Sequence, residues 1–235
     1  MADLSLNRNA RIDIRPMGQE RQPLIIIDNA LSAPDDMVDV ATATPFIQPP
    51  HTLYPGLNAP VPPVYSQSLA KVLRPLLDQV FGIPAHIQLT ASSFFALATR
   101  APGDLQPVQK VPHHDSCDPF MIAMVHYLCR DKPETPQGGT AFFRHKATGF
   151  EYVSDERFSS YENTMRAELA TGELPRHVGR DIPNYQLIDS ADMVYNRLVI
   201  YRSISLHSAL LDESHLSDDP RTGRLTLNTL MAPHV

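Results

Sequence analysis

Val111-Pro112-His113-His114-Asp115-Ser116-Cys117-Asp118 is the stretch around which the rest of the chain can be read. It is expected to leave a strand, and a buried-strand run, Phe120 to Leu128, follows it. Alternation along an extended chain puts residues i and i+2 on one side, so His113 and Asp115 are expected to point together into a cleft. Imidazole plus carboxylate is two thirds of a facial metal site, an arrangement that leaves coordination positions open. The third ligand must come from a distant strand. The candidate is His207, in Tyr201-Arg202-Ser203-Ile204-Ser205-Leu206-His207, 94 residues beyond His113. That separation excludes a local loop site and suits strands brought together across a barrel. If the first strand ends early, His114 replaces His113. His126 and His145 read as polar strand or turn residues.

Outward from this centre the chain is mostly strands. Ile87 to Arg100, Phe120 to Leu128, Gly139 to Arg144, Tyr185 to Ile188, Arg197 to Arg202 and Arg224 to Met231 carry branched and aromatic residues between turn signals. Two earlier strands are expected at Ala10 to Arg15 and Pro23 to Ile27. A helix should start with Ser32 as its cap and acids in its first turn, and run to about Ala43. The clearest helix is Ser66 to Phe81, with Leu69, Val72, Leu73, Leu76, Leu77 and Val80 forming one apolar face before Gly82 and Pro84 end it. Residues 46–64 are proline-rich and read as an irregular, surface-hugging segment; residues 155–170 read as a polar helix.

The pattern predicts an α+β chain, mainly β: a sandwich or jelly roll with helices packed on one face. We read 1–235 as a single domain. Residues 1–85 hold N-terminal strands and support helices, and 86–235 hold the β core, with 145–190 as an insertion. Within that insertion Tyr161, Arg166 and Arg176 are taken as solvated helix positions rather than a substrate entrance.

Composition narrows the function. The chain has 235 residues, 43% hydrophobic and 20% charged, which suits a folded core. Its net charge of −6 argues against a nucleic-acid partner, which requires a basic face. Proline is abundant, 22 residues, or about 9% against a usual value of roughly 5%. The cysteines, Cys117 and Cys129, are too few for a disulfide scaffold and point to a reducing compartment. Cys117 reads as a buried small residue. The N-terminal residues lack the apolar core of a signal peptide, and no run reaches membrane-spanning length. A cytoplasmic protein with no membrane partner is expected; oligomeric state is not legible.

One more pair completes the pattern. Arg224 and Thr226 are two apart on the last strand, so both face one side, and a guanidinium beside a hydroxyl is suited to holding a carboxylate. Arg221 is a rival for that role. In this order (His113-x-Asp115, a strand, Gly138-Gly139-Thr140-Ala141-Phe142, a strand leading to His207, then Arg224-x-Thr226) the chain resembles the iron- and 2-oxoglutarate-dependent oxygenase superfamily, in particular its prolyl-hydroxylase-like members. The resemblance spans roughly residues 86–233. Within the superfamily it also looks like a bacterial subgroup typified by Pro-His-x-Asp and Gly-Gly-Thr-Ala-Phe-x-Arg-His.

The resemblance implies a double-stranded β-helix. It implies Fe(II) on His113, Asp115 and His207, and 2-oxoglutarate as co-substrate with its distal carboxylate on Arg224 and Thr226. Tyr127 is a further candidate donor to the co-substrate. Hydroxylation of an amino acid, a peptide side chain or a small metabolite is the implied reaction, with 46–64 and 145–190 setting specificity. Two other classes are compatible with the residues. One is a non-oxidative cupin-like metal enzyme on His113, His114 and His207. The other is a non-catalytic jelly-roll binding module.

Overall fold

The apolar runs pair into two antiparallel sheets. The computed structural model describes residues 5–50, 53–130, 138–172, 179–211 and 216–234. In chain order these residues form β1 (Arg11–Met17), β2 (Gln22–Asp28), α1 (Pro34–Thr42), β3 (Gly56–Pro60), α2 (Pro63–Phe81), β4 (Leu89–Ala98), β5 (Ile122–Tyr127), β6 (Gly139–His145), α3 (Asp155–Thr171), β7 (Tyr185–Asp192), β8 (Arg197–Arg202), β9 (His207–Leu210) and β10 (Leu225–Pro233). The larger sheet has the order β1-β2-β8-β5-β10-β4-β3, and the smaller β7-β6-β9. Chain neighbours are seldom sheet neighbours: β5 lies between β8 and β10, which follow it by some 70 and 100 residues. These crossings, with two facing sheets, make the architecture a double-stranded β-helix.

Alternation sorts the large sheet into two faces. Phe95, Leu97, Ile122, Met124, Leu198, Ile200, Leu225 and Leu227 point outward and form one core with α1 and α2. Ile26, Ala123, Tyr127, Val199 and Tyr201 point inward and meet Phe142 of the smaller sheet. Helix α2 begins at Pro63, three residues earlier than the periodicity suggested, because proline is well tolerated in the first turn. Its sheet-facing stripe is Leu69, Leu73, Leu77 and Phe81. Val72 does not belong to it and is 54% exposed, because a four-residue repeat already fills the contact. Gly82 ends α2 in the left-handed conformation, with φ +62°.

Several expectations are corrected. The first helix is capped by Ala33 rather than Ser32, with no side-chain cap; the Ser32 hydroxyl instead accepts a hydrogen bond from Ser5. Residues 56–60, expected to be irregular, form the edge strand β3 along β4. Pro60 is tolerated because an edge strand needs only half its donors. The helices do not all lie on one face. Helix α3 packs on the outer side of the smaller sheet, where Tyr161 and Met165 meet Ala141, Phe143 and Val153. Tyr161 is therefore buried, not solvated, whereas Arg166 is exposed and paired with Glu162. Arg176 lies outside the described residues. Cys117 is only partly buried. Phe142 and Phe143 are core residues, 1% and 0% exposed. No helix among the described residues is long and apolar enough to cross a membrane.

His126 and His145 serve structure. His145 is buried and bonds to Thr148 and Glu168. His126, in the middle of the large sheet, lies 3.3 Å from the Tyr65 hydroxyl and 3.1 Å from Asn196 Oδ1. Asn196 Oδ1 also accepts the Leu31 N–H, so it is an acceptor, and His126 must donate from Nε2 and accept at Nδ1. Burial lowers the His126 pKa to about 4, while the Asn196 bond opposes the shift. Because the unfolded value is near 6.5, the unfolded chain binds the proton more readily between the two values. Stability contributed by neutral His126 is therefore complete above pH 6.5 and is lost as pH falls toward 4, up to about 3 kcal/mol. Urea unfolding at pH 7 and pH 4.5 should show a larger acid loss in the wild type than in His126→Gln. Equal losses would remove His126 as the cause.

Candidate metal centre

Two backbone contacts assemble the cluster. His113 and His207 face each other across an isolated antiparallel bridge, exchanging N–H···O bonds of 2.9 and 2.8 Å. The Asp115 N–H then donates to the Ser203 carbonyl at 2.9 Å. His113 thus stands not on a regular strand, as expected, but on a one-residue bridge after a short 3-10 turn, Pro107–Lys110. The outcome for the side chains is the one alternation predicts. One ligand-type atom from each of His113, Asp115 and His207 lies within 4.8 Å of the others. His113 Nε2 is 3.7 Å from Asp115 Oδ1, and His207 Nε2 is 3.7 Å from Asp115 Oδ2.

Each imidazole is poised as a lone-pair donor. His207 is 5% exposed, and its Nδ1 lies 2.9 Å from the Ser205 carbonyl, which can only accept. The proton therefore sits on Nδ1, and the Nε2 lone pair faces Asp115. The His113 side chain is about half exposed to the cleft. The cleft walls and the neighbouring His207 push its pKa down, against the pull of Asp115. His114 is turned elsewhere. Its ring meets Phe158 and Tyr161 edge-on, and its Nδ1 lies 3.1 Å from the Ser116 carbonyl.

The cluster opens onto a cavity of about 370 Å³ between the sheets. At its inner end lies Arg224, one residue before β10 and 3% exposed. Its Nη2 donates to the Gly139 carbonyl at 3.1 Å, while its Nε is buried with no partner among the described residues. No carboxylate among the described residues pairs with this guanidinium, an unusual state for a buried charge. Gly139 makes the contact possible. Its φ is +124°, and a Cβ there would collide with the Ala191 carbonyl.

Hydroxyls surround the guanidinium. Tyr127, in register with Thr226, is fully buried, bonds to Thr140 at 2.7 Å and has the Arg224 guanidinium carbon 5.6 Å from its ring centroid. Burial raises its pKa to about 12, against the pull of Arg224. Tyr54, from the proline-rich segment, also reaches this corner. Burial raises its pKa to about 12 as well, opposed by Arg224 and by the nearby Thr226. No sequence signal marked Tyr54 individually, because its neighbours in space are some 170 residues away. Arg221 is elsewhere: it is exposed and pairs with Asp39 at 2.9 Å.

Fold and site together define a double-stranded β-helix protein with a His-x-Asp…His cluster opening onto a buried arginine. Residues 8–231 match a family described as "Family of unknown function (DUF6445)", and the chain belongs to that family. No curated protein matches it. Among solved structures, similarity is found to the non-heme alpha-ketoglutarate-dependent epimerase SnoN from nogalamycin biosynthesis. The identity is 12% and the TM-score 0.49, over 91% of this chain and 78% of that one. A prolyl hydroxylase from Trichoplax adhaerens, in complex with a hypoxia inducible factor peptide, is similar at 11% identity and TM-score 0.45, covering 88% and 82%. HygX from Streptomyces hygroscopicus, with nickel and 2-oxoglutarate bound, is similar at 13% identity and TM-score 0.41, covering 88% and 81%.

Proposed function

We propose that this protein is an Fe(II)- and 2-oxoglutarate-dependent oxygenase that hydroxylates an amino acid, a peptide side chain or a small metabolite. The observation that carries the reading is the pairing of a two-imidazole, one-carboxylate cluster with a buried guanidinium that has no carboxylate partner among the described residues, across one small cavity. Two nitrogens and one carboxylate suit Fe(II) and leave positions for further ligands. The orphaned Nε of Arg224 suits a carboxylate from outside the chain. His113 Nε2, Asp115 and His207 Nε2 would hold the metal, and Arg224 the distal carboxylate of 2-oxoglutarate, with Thr226, Tyr54 and Tyr127 beside it. When bound, the pair supplies oxygen activation: O₂ and 2-oxoglutarate yield succinate and CO₂ while a substrate C–H becomes C–OH.

The chain's own residues prepare the site. The Ser205 carbonyl fixes the tautomer of His207. The depressed pKa of His113 reduces proton competition for a metal at that ring. Tyr127 and Tyr54 remain protonated and so can donate to a carboxylate. A non-oxidative metal enzyme would need neither the buried Arg224 nor its hydroxyl collar.

Anaerobic titration of the apoprotein with Fe(II) and then 2-oxoglutarate is the test. The expected result is a visible metal-to-ligand charge-transfer band, followed by succinate release on admitting oxygen. Bound metal without that band would overturn the 2-oxoglutarate assignment, and no bound metal would overturn the enzyme reading.

A further inference from the structure

The triad and the Arg224 corner do not account for all the polar atoms of the cavity. Two asparagines also line it, Asn58 on β3 and Asn228 on β10. The register puts both on the inner face. Asn58 pairs with Ala96, which pairs in turn with Thr226. Asn228 is two residues beyond Thr226 and pairs with Phe94 and Val125. Asparagine is a poor strand former, and two of them on one inner face are not explained by the fold. In both, Oδ1 is buried and has no hydrogen-bond partner among the described residues. A buried acceptor without a donor is costly, and its presence points to a donor supplied by a ligand.

The remaining wall decides the character of that ligand. Leu53, Pro55, Phe94, Val108 and Leu230 make it largely apolar. Among the described lining residues, histidines aside, the acidic and basic ones are Asp115 and Arg224, both already engaged by the proposed metal and co-substrate. A charged substrate group would therefore enter without a counter-ion. A carboxamide offers an acceptor beside a donor, and its complement is another amide.

We propose that this cavity binds a neutral, otherwise apolar substrate through an amide group held by the side chains of Asn58 and Asn228. The proposal rests on the oxygenase reading for the identity of the site, and it names the class of substrate that site takes. A volume of about 370 Å³ is at the small end for ligand pockets, which admits a small amide or one side chain of a peptide beside the co-substrate.

The probes are 4-methylpentanamide, its methyl ester analogue, 4-methylpentanoate and 4-methylpentanol, titrated by ligand-observed NMR. Titrations use the full chain, both as purified and loaded with Zn(II) and 2-oxoglutarate. The amide is expected to bind about tenfold tighter than the other three, the worth of a well-made hydrogen bond. In Asn58→Leu and Asn228→Leu that preference should collapse toward unity. Thermal stability should hold or rise, because an unmet buried acceptor has been removed. Equal binding of the ester, acid or alcohol, absence of binding by all four, or an amide preference that survives both substitutions would overturn the proposal. Titrating Zn(II) and 2-oxoglutarate separately keeps the two readings apart. Their failure to bind would sink the oxygenase assignment while the amide preference stays measurable on the protein as purified.

Discussion

Asp115→Ala protein is expected to fold like the wild type and to lose Fe(II) binding. The carboxylate is the anionic member of the cluster, 3.7 Å from each imidazole, and two neutral histidines alone make a weak site for a hard divalent ion. Loss of an outer partner to a metal ligand typically costs 10–100-fold in affinity. Loss of this ligand itself should cost more than roughly 100-fold. The fold should tolerate the change. The N–H of residue 115 still donates to Ser203, and the lost side chain is part-exposed and among the described residues pairs only with His113 and His207. Stability of the metal-free protein is then expected to shift by no more than about 0.5 kcal/mol. The measurement is metal titration alongside thermal unfolding. Metal affinity retained in a folded variant would refute the ligand set. His114→Ala supplies the contrast, since its ring points to Phe158 and Tyr161, and should leave metal affinity unchanged.

The second large effect belongs to Arg224, and it has two opposite signs. Truncation of one partner of a buried charge pair typically costs 2–5 kcal/mol, so Arg224→Met should weaken 2-oxoglutarate binding by roughly thirtyfold to several thousandfold. The same substitution should leave the ligand-free protein at least as stable, with an expected gain of about 1 kcal/mol. It replaces a buried guanidinium, without a carboxylate partner among the described residues, with an apolar chain of similar length. Arg224→Lys keeps the charge but loses the fork, and should fall between wild type and Arg224→Met. Calorimetric titration with 2-oxoglutarate and denaturant unfolding without it read the two effects separately. Unchanged 2-oxoglutarate affinity in Arg224→Met would remove this residue from the co-substrate site. A large stability loss in the free protein would instead mark the arginine as a structural tie to Gly139.

Local rules read much of this chain correctly. Strong apolar runs such as Ile122–Tyr127 and Arg197–Arg202 announce central strands because both their faces are buried. Helix α2 is legible because its four-residue repeat and its terminal glycine are both short-range signals. The His-x-Asp spacing, the distal histidine and the Arg-x-Thr pair are likewise visible as residue types in order. Where the signal is short the reading failed. β9 is four residues long, and β3 lies in a proline-rich stretch that looks like a loop until β4 is beside it.

What local rules could not reach depends on residues far apart in the chain. Spacing cannot separate His113 from His114, nor Arg224 from Arg221. A backbone bridge with His207 brings His113 into the cluster, and the register buries Arg224 at the cavity while Arg221 lies beside Asp39. Tyr54 joins the Arg224 corner, and Asn58 and Asn228 turn to one face, only because β3, β4 and β10 lie side by side. Residue identity carries the chemistry each side chain can perform, since donors, acceptors and charge are properties of the residue itself. Which of them share a desolvated cavity is a property of strand pairing, whose energy comes from packing across the whole sheet rather than from any one segment.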